Sequence, residues 1–379
     1  MFKKFKIFIL IVTALTGFSL SNASAQAAPG RTHVSYVFYD SIKYALLDNG
    51  QSVQQDLVDS SPFQKGFLNM KADQQGNPYF AYAINRATFN THWFVMFRSL
   101  AFAQAQILPV PGYFTPLGVS LVIDEQTANP TFYVIALVQS IEAASPSPQR
   151  MYLFKRPANS STWQRTQIYA NHLLPWRELL PHIDASVDGQ GLIHIAYTAR
   201  ITVPGTSFVA VRARELIVNP ANSAVLHNRL IDGNLAAVQT GIGDKFNAIN
   251  LTQHNARMYA SVLTPGQFVL KTRPFAQSQW HNELTLPQAV GGDLHSGQIG
   301  GVNVLALAAA ENGSFAQGGD RLTVYLKGGN QFPWLTVPVA QGETYFSPNV
   351  FVGDSSIGPK MTVAASTIDP VTHWNYFKI

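Results

Sequence analysis

The strongest constraint on this chain is that it repeats itself. The segment Asp73-Gln-Gln-Gly76-Asn-Pro-Tyr79-Phe-Ala81-Tyr82 aligns without a gap on Asp188-Gly-Gln-Gly191-Leu-Ile-His194-Ile-Ala196-Tyr197. The shared pattern is Asp-x-x-Gly, two positions, an aromatic or His, one further position, and then Ala-Tyr. It reads as the end of one strand, a tight turn built by Asp and Gly, and a second strand whose alternate residues face opposite ways. Further echoes surround it: Thr91-His92-Trp93 reappears as Thr372-His373-Trp374, and Trp163, Trp280 and Trp334 each follow a turn and open the last strand of a unit.

First strands of successive units are expected near Gly66, Leu117, His182, Lys245, Gly291 and Tyr345, at separations of 51, 65, 63, 46 and 54 residues. Four-stranded units at this spacing predict a β-propeller, in which each sheet covers its apolar faces against its neighbours. The expected architecture is all-β, a single propeller over residues 26–379. Seven units is the expected count and six the alternative, and a pair of sandwich domains is the competing arrangement. His33 to Val58 is read as three strands, and the chain ends are expected to share a sheet. One short helix is expected near Pro175-Trp176-Arg177-Glu178-Leu179-Leu180, ended by Pro181.

Residues 1–25 read as a secretory signal. Lys3, Lys4 and Lys6 precede the 14-residue apolar run Ile7–Leu20, and Ala23-Ser24-Ala25 offers cleavage before Gln26. The run is shorter than the roughly 20 residues of a membrane span, so no span is expected in the mature chain, which is read as secreted or periplasmic. Removing the signal leaves 23 basic against 21 acidic residues and lowers the formal charge from +5 to +2. No basic run remains to neutralise phosphates, so nucleic acid is not an expected partner. With no cysteine in the chain, disulfides, thiolate metal sites and cysteine nucleophiles are excluded. No cofactor motif is found and no metal site is assigned.

The stretch Val187-Asp188-Gly-Gln-Gly191-Leu-Ile-His194-Ile-Ala-Tyr197, with Ser41-Ile-Lys43-Tyr44-Ala45 and Asn49-Gly50, resembles the repeats of sialidase-like propellers of the BNR/Asp-box type. The resemblance is at the level of fold. The Asp-box form Ser-x-Asp-x-Gly-x-x-Trp is not met at Ser186-Val-Asp188-Gly-Gln-Gly191, and no early Arg-Ile-Pro segment is present. That superfamily includes sialidases, polysaccharide lyases and non-catalytic lectins, so the resemblance implies carbohydrate contact more than any one reaction.

Three groups are candidate sites. Tyr39, Asp40, Arg86, His92, Trp93, His373 and Trp374 combine stacking rings with hydrogen-bonding side chains, as a ligand-binding site for glycan requires. The connection Asn171 to Asp184 carries His172, Arg177, Glu178 and His182, candidate catalytic residues for acid–base work; the same connection also reads as a lid of leucines. Asp293 and His295 share one strand face at i, i+2 spacing and line the channel on this reading. The expected role is recognition of a carbohydrate or cell-surface polymer. A glycoside hydrolase or polysaccharide lyase, and a protein-interaction scaffold, are the alternatives.

Overall fold

The computed structural model describes residues 24–28, 31–38, 41–48, 51–73, 77–85, 93–101, 104–127, 129–141, 148–171, 177–202, 209–235, 249–264, 267–299, 301–313, 318–329, 332–355, 358–368 and 375–378. Strands form six sheets. Sheet 1 contains β1 (Ser24–Ala28), β2 (Arg31–Phe38), β3 (Ser41–Asp48) and β4 (Gln51–Asp59). Sheet 2 contains β5 (Gln64–Ala72), β6 (Pro78–Asn85), β7 (Trp93–Ser99) and β8 (Gln106–Leu108). Sheet 3 contains β9 (Phe114–Asp124), β10 (Thr131–Ser140), β11 (Gln149–Pro157) and β12 (Gln164–Asn171). Sheet 4 contains β13 (Arg177–Val187), β14 (Ile193–Thr202), β15 (Val209–Asn219) and β16 (Ala224–Leu235). Sheet 5 contains β17 (Ile249–His254), β18 (Arg257–Thr264), β19 (Gln267–Pro274) and β20 (His281–Pro287). Sheet 6 has six strands: β21 (Gly291–Ile299), β22 (Val302–Glu311), β23 (Gly319–Lys327), β24 (Leu335–Ser355), β25 (Gly358–Ile368) and β26 (Asn375–Lys378).

Every sheet is an antiparallel meander, and first strands adjoin one another: β1 with β5, β5 with β9, and onward through β13, β17, β21 and the second half of β24, which returns to β1. The result is a closed β-propeller around an axis. Second strands explain why it must close. Phe80–Ile84, Phe132–Val138, Ile193–Ala199 and Leu305–Ala310 are buried without interruption, because each second strand has a sheet on both faces. Apolar clusters fill the spaces between sheets 1 and 2, 2 and 3, 3 and 4, 4 and 5, and 5 and 6. Each fully buried large side chain contributes about 1.5–3 kcal/mol, which no isolated four-stranded sheet could recover. Outer strands are different: Val225, Leu226 and Leu230 of β16 stand exposed among polar residues.

The count of seven is corrected to six. Residues from Tyr345 onward do form strands, but β24 runs unbroken for 21 residues. Its first half pairs with β23 and its second half with β25. The C-terminal part of sheet 6 folds over the first part around a core containing Ala306, Val324, Tyr345, Val350, Val352 and Val363. Sheet 1 gains a strand that the sequence reading leaves out, since β1 pairs with β2, and the predicted cleavage point before Gln26 falls inside β1. The chain ends do not share a sheet.

The helix near residue 177 is also corrected. Arg177–Val187 is a strand, so the connection expected as far as Asp184 is limited to residues 172–176. Leu179 is buried to 1% exposure between sheets 3 and 4. The pairing shifts between Leu179 and Ile183, a bulge that accommodates Pro181, which has no N–H to give a ladder. The Gln149 side chain secures this point, accepting from Leu179 N–H at 2.6 Å and donating to its carbonyl at 3.0 Å. No helix of the described residues is long and apolar enough to cross a membrane.

Candidate functional site: a polar collar around the axis

First strands carry their chemistry at a repeated position, four residues before the turn. Asn69, Ser120, Asp184 and Asn250 occupy it in sheets 2 to 5, while on the two first-position strands of sheet 6 Asp293 and Asn349 stand six residues before the strand ends Ile299 and Ser355. Asn69, Asp184 and Asp293 each face an alanine in the ladder, Ala81, Ala196 and Ala308, which leaves room beside the polar group. Bulges at Gly66/Asn69, Leu179/Ile183 and Phe346/Asn349 turn the strand just before it.

Each polar side chain reaches the next first strand. Asn69 Oδ1 accepts from Leu121 N–H at 3.3 Å, Asp184 Oδ2 from Leu251 N–H at 2.8 Å, and Asp293 Oδ2 from Val350 N–H at 3.1 Å. Asn250 Nδ2 donates to the Gly292 carbonyl at 2.9 Å, and the Ser120 hydroxyl donates to Asp184 Oδ1 at 3.4 Å. First strands diverge from their neighbours at the axis, so their inward backbone groups have no ladder partner. The collar satisfies them.

Two of these groups are carboxyls in confined surroundings. Burial raises the pKa of Asp184 despite Lys71 and the N–H groups of Leu251 and Ala185. Burial pushes Asp293 up to about 7, over the N–H groups of Val350 and Leu294, and the Asp184 charge adds to the rise. Burial, aided by Lys71, pulls His295 down to about 3, and its Nδ1 accepts from Val352 N–H at 3.4 Å. The Lys71 charge acts on Asp184, Asp293 and His295. These residues stand on sheets 2, 4 and 6, which do not adjoin, so they face each other across the axial channel. Lys71, Asp184, Asp293 and His295 are all half-buried.

A second charged group holds sheets together. His194 Nε2 lies 3.0 Å from Asp188 Oδ2 and its Nδ1 2.7 Å from Glu215 Oε1. Carboxylates only accept, so both ring nitrogens donate and the ring is an imidazolium. Burial pulls the His194 pKa down, but the hydrogen bonds and charges of Asp188 and Glu215 outweigh it and the net direction is up. Arg273 Nη2, from sheet 5, donates to Glu215 Oε1 at 2.7 Å, and the guanidinium lies 5.4 Å from the Trp280 ring centre. Glu215 and Arg273 have 0% exposure, so no ligand reaches them. The same latch joins sheets 2 and 3 through Gln106, Arg156 and Trp163, and sheets 5 and 6 through Glu283, Lys327 and Trp334. The repeated tryptophans are thus cation-holding wedges between sheets.

The repeated aspartates form turns, as their sequence suggests. Asp188 Oδ1 accepts from Gln190 and Leu192 N–H, both at 2.9 Å, while Gly191 adopts φ +76°, which glycine alone takes without strain. Asp73 accepts in the same way from Asn77 N–H at 2.7 Å.

Of the loop-face candidates, Tyr39, Asp40, Arg86, His92, His373, Trp374 and His172 lie outside the described residues. Their flanking strands are described: Phe38, Asn85, Asn171 and Ile368 end on the face of the ring where first strands begin. Trp93 opens β7, is 5% exposed and packs into the core between sheets 2 and 3. Arg177 and Glu178 oppose Ile201 and Arg200 in the ladder, and His182 lies in the bulge of β13. Asp293 and His295 sit together, as their spacing implies. Asn69, Lys71, Ser120 and Asn250 escaped sequence reasoning; the available signal for Asn69, Ser120 and Asn250 was their constant distance of four residues from Asp73, Asp124 and His254.

No protein-family model and no curated protein sequence matches the chain. Solved structures match its fold. A mutant of Trypanosoma rangeli sialidase displaying trans-sialidase activity aligns with 94% of this chain and 59% of its own, at 10% identity and TM-score 0.53. Penicillium chrysogenum α-L-arabinanase complexed with arabinobiose aligns with 84% of this chain and 99% of its own, at 10% identity and TM-score 0.52. The chain spans about three fifths of the sialidase chains it matches. The fold-level resemblance to sialidase-like propellers is therefore real.

Proposed function

We propose that this is an exported propeller that recognises a carbohydrate or cell-surface polymer without transforming it. The observation that carries the reading is the collar: five sheets send hydrogen-bonding side chains to one axial channel, at whose mouth the strands flanking residues 39–40, 86–92, 172–176 and 369–374 end. Fold neighbours that act on sialic acid or arabinan agree with it. In this reading Tyr39, Asp40, Arg86, His92, His373 and Trp374 contact ligand at the mouth, and Trp93, held in the core, fixes the connection that carries His92.

The test is binding of the purified protein to an array of immobilised glycans, repeated with His92→Ala combined with Trp374→Ala. Retention of defined glycans by the parent and at least about tenfold weaker retention by the variant are expected. Absence of any retained glycan sinks the reading; unchanged retention by the variant moves the contacts away from the mouth.

One observation favours hydrolysis as a second reading. Burial raises the pKa of both Asp184 and Asp293, the latter to about 7, and two carboxyls able to act as acid and base are what glycosidic cleavage needs. His172, His182 or Glu178 would then serve proton transfer at the mouth, and Arg177 would neutralise charge. Release of shorter saccharides from a bound glycan distinguishes this from pure recognition.

A further inference from the structure

We propose that the axial channel takes an uncharged, hydroxyl-rich ligand, a sugar ring or linear polyol, between the Lys71 ammonium and the carboxyls of Asp184 and Asp293. The inference rests on the carbohydrate reading above and names the class of sugar.

Two observations carry it. First, Lys71 makes no hydrogen bond or ion pair among the described residues, although it is half-buried and acts electrostatically on three groups across the channel. A half-buried ammonium without a protein acceptor is open to one from a ligand, and the carboxyls its charge acts on lie beyond ion-pair reach. Second, Asp184 and Asp293 carry more chemistry than their structural task needs. Asn69 makes the same link to the next sheet through an amide oxygen, with no charge to confine.

The gap between them has a definite chemical requirement. An ammonium only donates, an ionised carboxylate only accepts, and a protonated carboxyl, which Asp293 partly is near pH 7, also donates. A hydroxyl does both, so one hydroxyl accepts from Lys71 while donating to Asp184 or Asp293. Neighbouring hydroxyls on a ring extend the same pattern to His295, which as a neutral imidazole accepting at Nδ1 carries its proton on Nε2. An anionic sugar gains Lys71 but meets two carboxyls, and a cationic one gains the carboxyls but meets Lys71. Neither matches the mixed lining, whereas an uncharged polyol does.

Calorimetric titration of the full chain tests this. Neutral arabino-, gluco- and xylo-oligosaccharides, with their monosaccharides and sorbitol, are compared with sialyllactose, oligogalacturonate and chitosan oligomers. At least one neutral series is expected to bind at least about tenfold more tightly than charged oligomers of equal length. Lys71→Met is expected to weaken that binding about tenfold or more while the protein still unfolds cooperatively, since Lys71 makes no hydrogen bond or ion pair among the described residues. Asp184→Asn, which keeps the acceptor for Leu251 N–H, checks the opposite wall and is expected to weaken binding likewise. Preference for a charged series, or neutral binding unchanged by Lys71→Met, overturns the channel proposal and leaves the carbohydrate reading standing. Failure of every saccharide to bind overturns both. If monosaccharides and sorbitol bind as well as oligomers, the ligand is a free polyol; if only oligomers bind, it is part of a chain.

Discussion

Asp293 shows how a side chain can serve the fold and still be conspicuous. Its carboxyl links β21 to Val350 in the second half of β24, yet its folded-state pKa is raised by burial to about 7. A raised carboxyl pKa means that the folded chain holds a proton the unfolded chain has released, so this residue's contribution favours folding at low pH and fades as pH climbs from about 4 to about 7. Asp293→Asn removes that decline, and the gain in urea midpoint over the parent is expected to grow across this interval and then level off. His194 has the opposite chemistry but the same direction of loss. Its pKa is raised in the fold, so its contribution is complete below about pH 6.5 and is lost as pH rises through the folded value. Its partners Asp188 and Glu215 are lowered: burial alone would raise them, but the hydrogen bonds from His194 prevail. Their contribution disappears as pH falls through their folded values. His194→Gln should therefore flatten the alkaline limb of the stability profile in urea titrations from pH 6 to 9; an unchanged limb would assign that pH dependence elsewhere.

Sheets are joined through third and fourth strands, and the joints differ in charge. Removing Arg273 leaves Glu215 buried with an excess of negative charge, so Arg273→Met is expected to cost about 3–5 kcal/mol. Arg156 has the neutral Gln106 as its hydrogen-bond acceptor, with the rings of Phe97, Phe132 and Trp163 around it. Arg156→Met keeps much of that packing and is expected to cost less, about 1–3 kcal/mol; denaturant unfolding of both variants reads the difference, and equal losses would contradict it. Strand order and turns were legible in the sequence because Asp-x-x-Gly pairs and tryptophan-led last strands recur. The strand at Arg177–Val187 was not. Two prolines and a run of leucines look helical when Leu179 is not known to be buried against sheet 3 and Gln149 is not known to replace the missing ladder bonds. Collar residues were legible only where spacing made them stand out, as at Asp293 and His295. Lys71 is an ordinary lysine until the ring brings Asp184 and Asp293 opposite it.

At the scale of the molecule, closure decides everything else. Sheet 6 carries the chain past its own outer edge and back to the axis, so Tyr345, Val350, Val352 and Val363 cover the core around Ala306 and Val324. Deleting residues 345–379 uncovers that core and leaves Asp293 without Val350; the shortened chain is expected to lose cooperative unfolding in calorimetry, and a sharp transition near the parent's would argue against this closure. The unit count went astray because a continuous β24 and a separate last blade present the same residues in the same order, and only pairing tells them apart. The most direct test of the central claim, that the closed ring creates a polar channel which receives uncharged sugar, is a crystal structure of the protein with a neutral oligosaccharide that it binds. A sugar ring inside the collar, with hydroxyls touching Lys71 Nζ and the Asp184 or Asp293 carboxyl, is the predicted result. Sugar seated on the outer strands, with the channel holding none, would contradict it.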